Sequence, residues 1–289
     1  MACGKTAGAG AGTASMTETL EPTQADREIK ECLENSRSFS VIAGAGSGKT
    51  TSLITALNFL REEYGPKLRR NGQKIVCITY TNRATAVIEE RLGFDDLYLV
   101  STIHSFLWSA INRFTKDIQS ALYEHIIPAH IAKQREKDNG GNSQAARKAR
   151  ERVSELEGEL ELIEYVTSFK YDESQFSNFS RGLIGHDDVI ALAACLISEN
   201  ILLQRGLGFQ FPYIFVDEAQ DTFDSVITAF NAVCSGEGLP IVGYFGDPMQ
   251  QIYDNGSGSF DGPEGFLSIE KEENFRSATS IVTLTNKLR

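Results

Sequence analysis

No stretch of this chain is long or apolar enough to cross a membrane as a helix, which would take about 20 consecutive apolar residues. Paired cysteines are lacking too. The five, Cys3, Cys32, Cys77, Cys195 and Cys234, are scattered, odd in number and form no CxxC pair. That excludes a disulfide framework or a zinc framework of the spaced-cysteine kind, and it suits reduced, mostly buried thiols. A cytoplasmic protein is the corresponding expectation. Positive charge is in deficit: 28 Lys and Arg face 39 Asp and Glu, for a net charge of −11 at pH 7. One dominant basic face for nucleic acid is therefore unexpected, although a local groove is compatible with this balance. The first fifteen residues, MACGKTAGAGAGTAS, have neither a signal-peptide core nor the Arg-rich pattern of a transit peptide. Residues 1–18 read as a flexible leader, with Met16 a candidate start. The Gly4-Lys5-Thr6 triplet inside it has no strand before it and carries no chemistry.

What remains is an ordinary globular composition over 289 residues, enough to bury one large core or two smaller ones. From Thr23-Gln24 a helical pattern places Ile29, Cys32 and Leu33 on one face. Phe39 to Ile42 reads as a short strand, followed by Ala43-Gly44-Ala45-Gly46-Ser47-Gly48-Lys49-Thr50-Thr51. A helix is expected from Gly48 to about Glu63, ended by Gly65-Pro66. Further strands are expected at Ile75–Thr79, Leu97–Thr102, Tyr213–Val216 and Ile241–Phe245. From about Leu107 to Leu207 strands vanish and helical patterns take over. Within that stretch, the Lys- and Arg-rich run from Lys133 to Arg152 and the acidic run from Glu155 to Glu164 suit solvated helix faces. Alternating strands and helices split by a helical insertion indicate an α/β fold with a doubly wound parallel sheet and a subdomain.

Two segments carry chemistry. Gly44, Gly46 and Gly48 let backbone amides turn around phosphate oxygens at the start of a helix, with Lys49 to reach the β- and γ-phosphates and Thr50 to hold Mg²⁺. Asp217-Glu218-Ala219-Gln220-Asp221 follows the apolar run Tyr213–Val216, at a strand's carboxyl end, where open α/β sheets bind ligands. Given the phosphate loop, Asp217 is expected to bind Mg²⁺, usually through water, and Glu218 to orient and deprotonate the attacking water.

With these motifs the chain resembles the amino-terminal part of a UvrD/PcrA/Rep-type superfamily 1 DNA helicase, from about Pro22 to Ser277. Gln24 resembles that family's adenine-reading glutamine, and Ala43 to Thr51 its motif I, Ala43 included. Ile78 to Ala84, with Thr81 and Asn82, is similar to motif Ia. Thr102-Ile103-His104-Ser105-Phe106 is similar to motif Ib. The resemblance implies that Thr81, Asn82, Thr102, His104, Ser105 and Phe106 touch single-stranded DNA. Val216 to Asp221 matches motif II, in which Gln220 would link nucleotide state to DNA contacts. Gly246 to Tyr253 resembles motif III, with Asp247 implied in coupling, Gln250 in sensing the γ-phosphate and Tyr253 in lying near a base. Glu273 to Ser277 resembles motif IV, making Arg276 the candidate arginine finger. By contrast Trp108 reads as packing, and Asp187-Asp188 as the acids of a helix N-terminus.

The resemblance implies a RecA-like P-loop fold, ATP and Mg²⁺ as cofactors, and single-stranded DNA or a single-strand/duplex junction as partner. It also implies 3′→5′ movement. On this reading residues 19–106 and 208–289 form the ATP-binding domain and 107–207 the inserted subdomain. The segment Asp254 to Phe260 departs from the family's aromatic-Arg-Gly-Ala continuation. Counterparts of motifs V and VI are absent from the 289 residues. A second motor domain, or a protein partner, is thus expected to complete the ATP site. An alternative of another class stays open, a nucleotide-binding regulatory module built on a degenerate helicase domain.

Overall fold

The computed structural model describes residues 22–44, 46–138, 140–235, 238–251 and 260–271. The leader, Ala45, Tyr253 and Arg276 lie outside the described residues. Six strands form one parallel sheet: β1 (Phe39–Ala43), β2 (Ile75–Thr79), β3 (Tyr98–Thr102), β6 (Tyr213–Asp217), β7 (Ile241–Gly246) and β8 (Leu267–Lys271). Their order is β3-β2-β6-β7-β1-β8, and every neighbouring pair is parallel. Continuous apolar runs such as Ile75-Val76-Cys77-Ile78 take this form because both faces of the sheet are covered. Along β2, Ile75 and Cys77 join the core under α1 (Gln24–Glu34), α2 (Lys49–Arg70) and α3 (Asn82–Arg91). Val76 and Ile78 join the core on the other face, under α4 (Ile103–Ile111), α8 (His186–Glu199) and α10 (Asp224–Val233).

Between β3 and β6 the chain is almost wholly helical, adding α5 (Thr115–Ala121), α6 (Ile127–Lys137), α7 (Gln144–Leu162) and α9 (Ile201–Gln210). A π-helical turn, Leu122–Ile126, joins α5 to α6. Strands do not vanish entirely: β4 (Lys170–Tyr171) and β5 (Leu183–Ile184) form a two-residue parallel pair. The basic run packs as an antiparallel hairpin of α6 and α7. Arg135 pairs with Glu157, Arg150 with Asp138, and Arg152 with Glu155 and Glu159. Among the described residues no single helix is long and apolar enough to cross a membrane.

One expectation is corrected, and one strand is added. Helix α2 does not stop at Gly65-Pro66 but runs through both residues to Arg70. Proline removes only the hydrogen bond to the Glu62 carbonyl, on an exposed stretch where water can take it. Continuation buries Leu68, which ending the helix at Gly65-Pro66 would forgo. Strand β8 is the addition: Leu267-Ser268-Ile269-Glu270 alternates apolar and polar residues, burial alternates with it, and the strand pairs in parallel with β1.

Candidate nucleotide site and sheet edge

Strand β1 ends at Ala43, and the loop after it turns through Gly46 and Gly48, both at positive φ (80° and 82°), where a side chain would be strained. Gly48 is the N-cap of α2, so Lys49 and Thr50 occupy the helix's first turn. The first amides of a helix lack intrahelical acceptors and favour an anion. The Ser47 hydroxyl is buried in this loop without a hydrogen-bond partner among the described residues, a group that a phosphate oxygen would satisfy. Thr50 is half-buried and Thr51 exposed. A cavity of about 490 Å³ opens beside the loop, lined by Thr50, Asp217, Glu218, Gln220 and Gln250 with residues of motif Ia.

At the carboxyl end of β6, burial and then the neighbouring Glu218 charge push the Asp217 carboxyl up to about 6. Lys49 and the Glu218 backbone N–H oppose that shift. A hard divalent cation between Asp217 and the Thr50 hydroxyl would offset the same repulsion, so an all-oxygen donor set here fits Mg²⁺. Glu218 adopts the left-handed conformation (φ 52°), uncommon for a residue with a side chain and concentrated at functional sites. Its Oε2 accepts from Lys49 Nζ at 3.0 Å and from Gln220 Nε2 at 2.9 Å. Gln220 is buried, and its Oε1 accepts from the Asp247 backbone N–H at 3.0 Å. Asp247 in turn accepts from Gln250 Nε2. One hydrogen-bonded chain therefore runs Lys49–Glu218–Gln220–Asp247–Gln250, across the carboxyl ends of β6 and β7. Gly246 makes room for it, because a Cβ there would lie 2.6 Å from Gln220 Oε1 and 2.7 Å from the Phe260 ring.

The strand ends of β2 and β3 present a second surface. Thr81 caps α3, accepting from the Ala84 N–H at 3.2 Å, and Thr102 caps α4, accepting from the Ser105 N–H at 3.4 Å. Since β2 and β3 are neighbours in register, with Thr79 opposite Thr102, these two helix N-termini lie side by side. Thr81, Asn82 and Ser105 are exposed and Thr102 half-buried. His104 and Phe106 are not on that surface. His104 is 6% exposed and its ring stacks on His186 at 3.3 Å between centroids. Burial, then His186, lowers its pKa to about 4. Phe106 is a core residue packed against Phe211 and Phe230. The expectation that it touches DNA is corrected on that ground: its ring has no accessible face. Gln24 lies exposed in the first turn of α1, bonded to Glu28 and Arg27 on its own helix.

Residues 23–259 match the UvrD/REP helicase N-terminal domain. The chain belongs to that family. It is 27% identical to the Gabija protein GajB of Bacillus cereus strain HuB5-5, over 90% of this chain and 48% of that protein. It is 25% identical to the ATP-dependent DNA helicase Rep of Buchnera aphidicola from Schizaphis graminum, over 86% and 41% respectively. The crystal structure of the Pif1 helicase from Candida albicans superposes with a TM-score of 0.44 at 13% identity, over 92% of this chain and 43% of that one. The chain thus spans less than half the length of the curated relatives it matches.

Outside the motifs of this UvrD/REP domain, Lys271, Thr23, Asp26 and Ser52 tie the end of β8 to the start of α1 and to that of α2, directly after the nucleotide loop. Lys271, at the end of β8, is buried and donates to Thr23 Oγ1 at 3.0 Å and Ser52 Oγ at 2.9 Å. Its Nζ lies 3.8 Å from Asp26 Oδ1, which also accepts from the Ser52 hydroxyl at 2.5 Å. The only sequence cue was the Thr23-x-x-Asp26 pair, whose capping box is formed. Asp187 and Asp188 do lie in the first turn of α8, but Asp188 is buried and bonded to His130 at 2.7 Å and to Ser177. Trp108 packs, half-buried, against the core and Tyr171.

Proposed function

We propose that the chain is the ATP-binding first motor domain of an ATP-dependent DNA helicase or translocase. The hydrogen-bonded chain Lys49–Glu218–Gln220–Asp247–Gln250 carries this reading, because it ties a phosphate-binding lysine to two neighbouring strand ends. Lys49 leaves Glu218 for the β- and γ-phosphates when nucleotide binds, with Ser47 and the amides around Gly44 to Gly48 holding the remaining oxygens. Mg²⁺, held by the Thr50 hydroxyl and by Asp217, supplies charge neutralisation at the transferred phosphoryl group. Glu218, released from Lys49, orients and deprotonates the attacking water. Gln220 feels that release directly and passes it to Asp247, whose partner Gln250 senses the γ-phosphate. Gln24 reads the adenine edge, while Arg276 as arginine finger and Tyr253 as base contact follow from the family resemblance alone.

Single-stranded DNA, or the single strand at a duplex junction, lies across the paired N-termini of α3 and α4. There Thr81, Asn82, Thr102 and Ser105 meet phosphates as small polar donors and through helix amides, without the basic face that the net charge disfavours. His104 positions this edge from below, stacked on His186. Residues 19–106 and 208–289 serve as the nucleotide-binding domain and 107–207 as its inserted subdomain. Movement is 3′→5′, and a further helicase domain or a partner completes the ATP site. The chain alone is a weak ATP hydrolase. ATP hydrolysis with and without single-stranded DNA, measured on this chain and on a longer form carrying a second motor domain, tests the proposal. Stimulation in the longer form is expected. Its absence there would leave a nucleotide-binding regulatory module as the better reading.

A further inference from the structure

The inserted helices carry a cluster of donor groups far in sequence from the nucleotide motifs. The π-helical turn presents His125, and the last turns of α8 present Cys195 and Glu199, four residues apart and so on one helix face. One donor atom from each lies within 4.8 Å of the other two. His125 Nε2 stands 3.5 Å from Glu199 Oε1 and 4.0 Å from Glu124 Oε2. A tetrahedral metal site with bonds of about 2.0–2.3 Å has ligand-to-ligand edges of roughly 3.3–3.8 Å. The His125–Glu199 edge already has that length, and the rest needs about 1 Å of side-chain movement. His125 and Glu199 are exposed and free to make it, whereas Cys195 is half-buried and fixed by the helix.

Donor chemistry narrows the ligand. One imidazole, one thiol and carboxylates are a poor match to Mg²⁺ or Ca²⁺, which take oxygen, and a good one to Zn²⁺. The π-turn matters because its wider winding breaks the α-helical register between α5 and α6. Such turns are rare and frequent at functional sites. We propose that His125, Cys195 and Glu199, with Glu124 or water as fourth ligand, bind a divalent transition metal of the zinc class. The metal staples the π-turn to the end of α8, the helix whose first residue, His186, stacks on His104. Binding replaces the thiol proton, so each metal bound by Cys195 releases one proton to solvent. Spacing rules could not find this site: its single cysteine is 70 residues from its histidine.

The test uses the full chain freed of metal with a chelator and titrated with Co²⁺, in the presence of Mg²⁺ to saturate oxygen-only sites. One equivalent should give tetrahedral d–d bands and a thiolate-to-cobalt charge-transfer band, both removed by one equivalent of Zn²⁺. Cys195→Ser should abolish the charge-transfer band. His125→Ala and Glu199→Gln should each weaken Co²⁺ affinity by more than about tenfold. Cys3→Ser should change nothing, and far-UV circular dichroism checks that every variant is folded. A charge-transfer band that persists in folded Cys195→Ser, or no band in the parent, overturns the proposal.

Discussion

Replacing Lys271 with methionine isolates the tie between β8 and the starts of α1 and α2. The Lys271 side chain is 2% exposed and its Asp26 partner 13%, so the lysine is desolvated and the carboxylate only partly hydrated. At 3.8 Å and an effective dielectric of about 20, their attraction is roughly 4 kcal/mol. Methionine keeps the stem's volume but leaves the Asp26 carboxylate without its cation. Removing one member of a buried pair costs roughly 3–5 kcal/mol. Here the lower end applies, because Asp26 keeps its hydrogen bonds from the Thr23 N–H at 2.9 Å and from Ser52. The Ser52 and Thr23 hydroxyls also keep Asp26 as partner, so neither is orphaned. The expected loss is about 3 kcal/mol in unfolding free energy, measured by urea denaturation near neutral pH. The variant Lys271→Met/Asp26→Asn removes the stranded charge and should recover at least half of it, so the two single losses are non-additive in a double-mutant cycle. A single-variant loss below about 1 kcal/mol, or additive losses in the cycle, would show that the buried lysine is not held by this carboxylate.

Three further outcomes follow from the same geometry. Glu218→Gln should keep nucleotide binding and stop hydrolysis in the longer form, whereas Lys49→Ala should abolish binding or turnover. Equilibrium nucleotide binding and steady-state ATPase assays separate the two, and an active Glu218→Gln protein removes the base assignment. Gly246→Ala forces a Cβ against Gln220 and Phe260 and should cost about 1–3 kcal/mol of stability. A thermal shift within error of the parent would mean that the Gln220 contact is not tight. His104 titrates near 4 when folded and near 6.5 when unfolded, so its neutral form is favoured on folding. Its contribution is intact above about pH 6.5 and is lost as pH falls toward 4, by at most about 3 kcal/mol. Unfolding free energies of the parent and His104→Phe should therefore diverge against the parent across that window, and a constant difference contradicts the burial argument.

The strands and the phosphate loop were legible because their signals are local. Ile75–Thr79 is an apolar run bounded by polar residues, and the observed β2 has the same limits. The Gly-Lys-Thr turn was read from residue types that only a few backbone shapes can use. The end of α2 is not legible locally, because proline's penalty is a local signal while the burial of Leu68, beyond Pro66, comes from tertiary packing. The motif resemblance puts Phe106 on the DNA side, yet a large apolar ring after a strand is pulled inward by whatever core is available. Phe211 and Phe230, more than a hundred residues away, supply that core.

Sequence alone determined the parallel α/β class, the helical insertion and the identity of the residues gathered at the strand ends. These depend on hydrophobic period, turn chemistry and short motifs, all encoded within a few neighbouring residues. Tertiary structure decided which side chains touch. It joined Glu218 to Lys49 and Gln220 to Asp247, buried His104 beneath the edge it was expected to face, and brought Lys271 onto Ser52 of α2 from 219 residues away. It also brought His125 beside Cys195 and Glu199. Contacts of that kind arise from packing whole elements around two cores, and no local pattern along the chain specifies them.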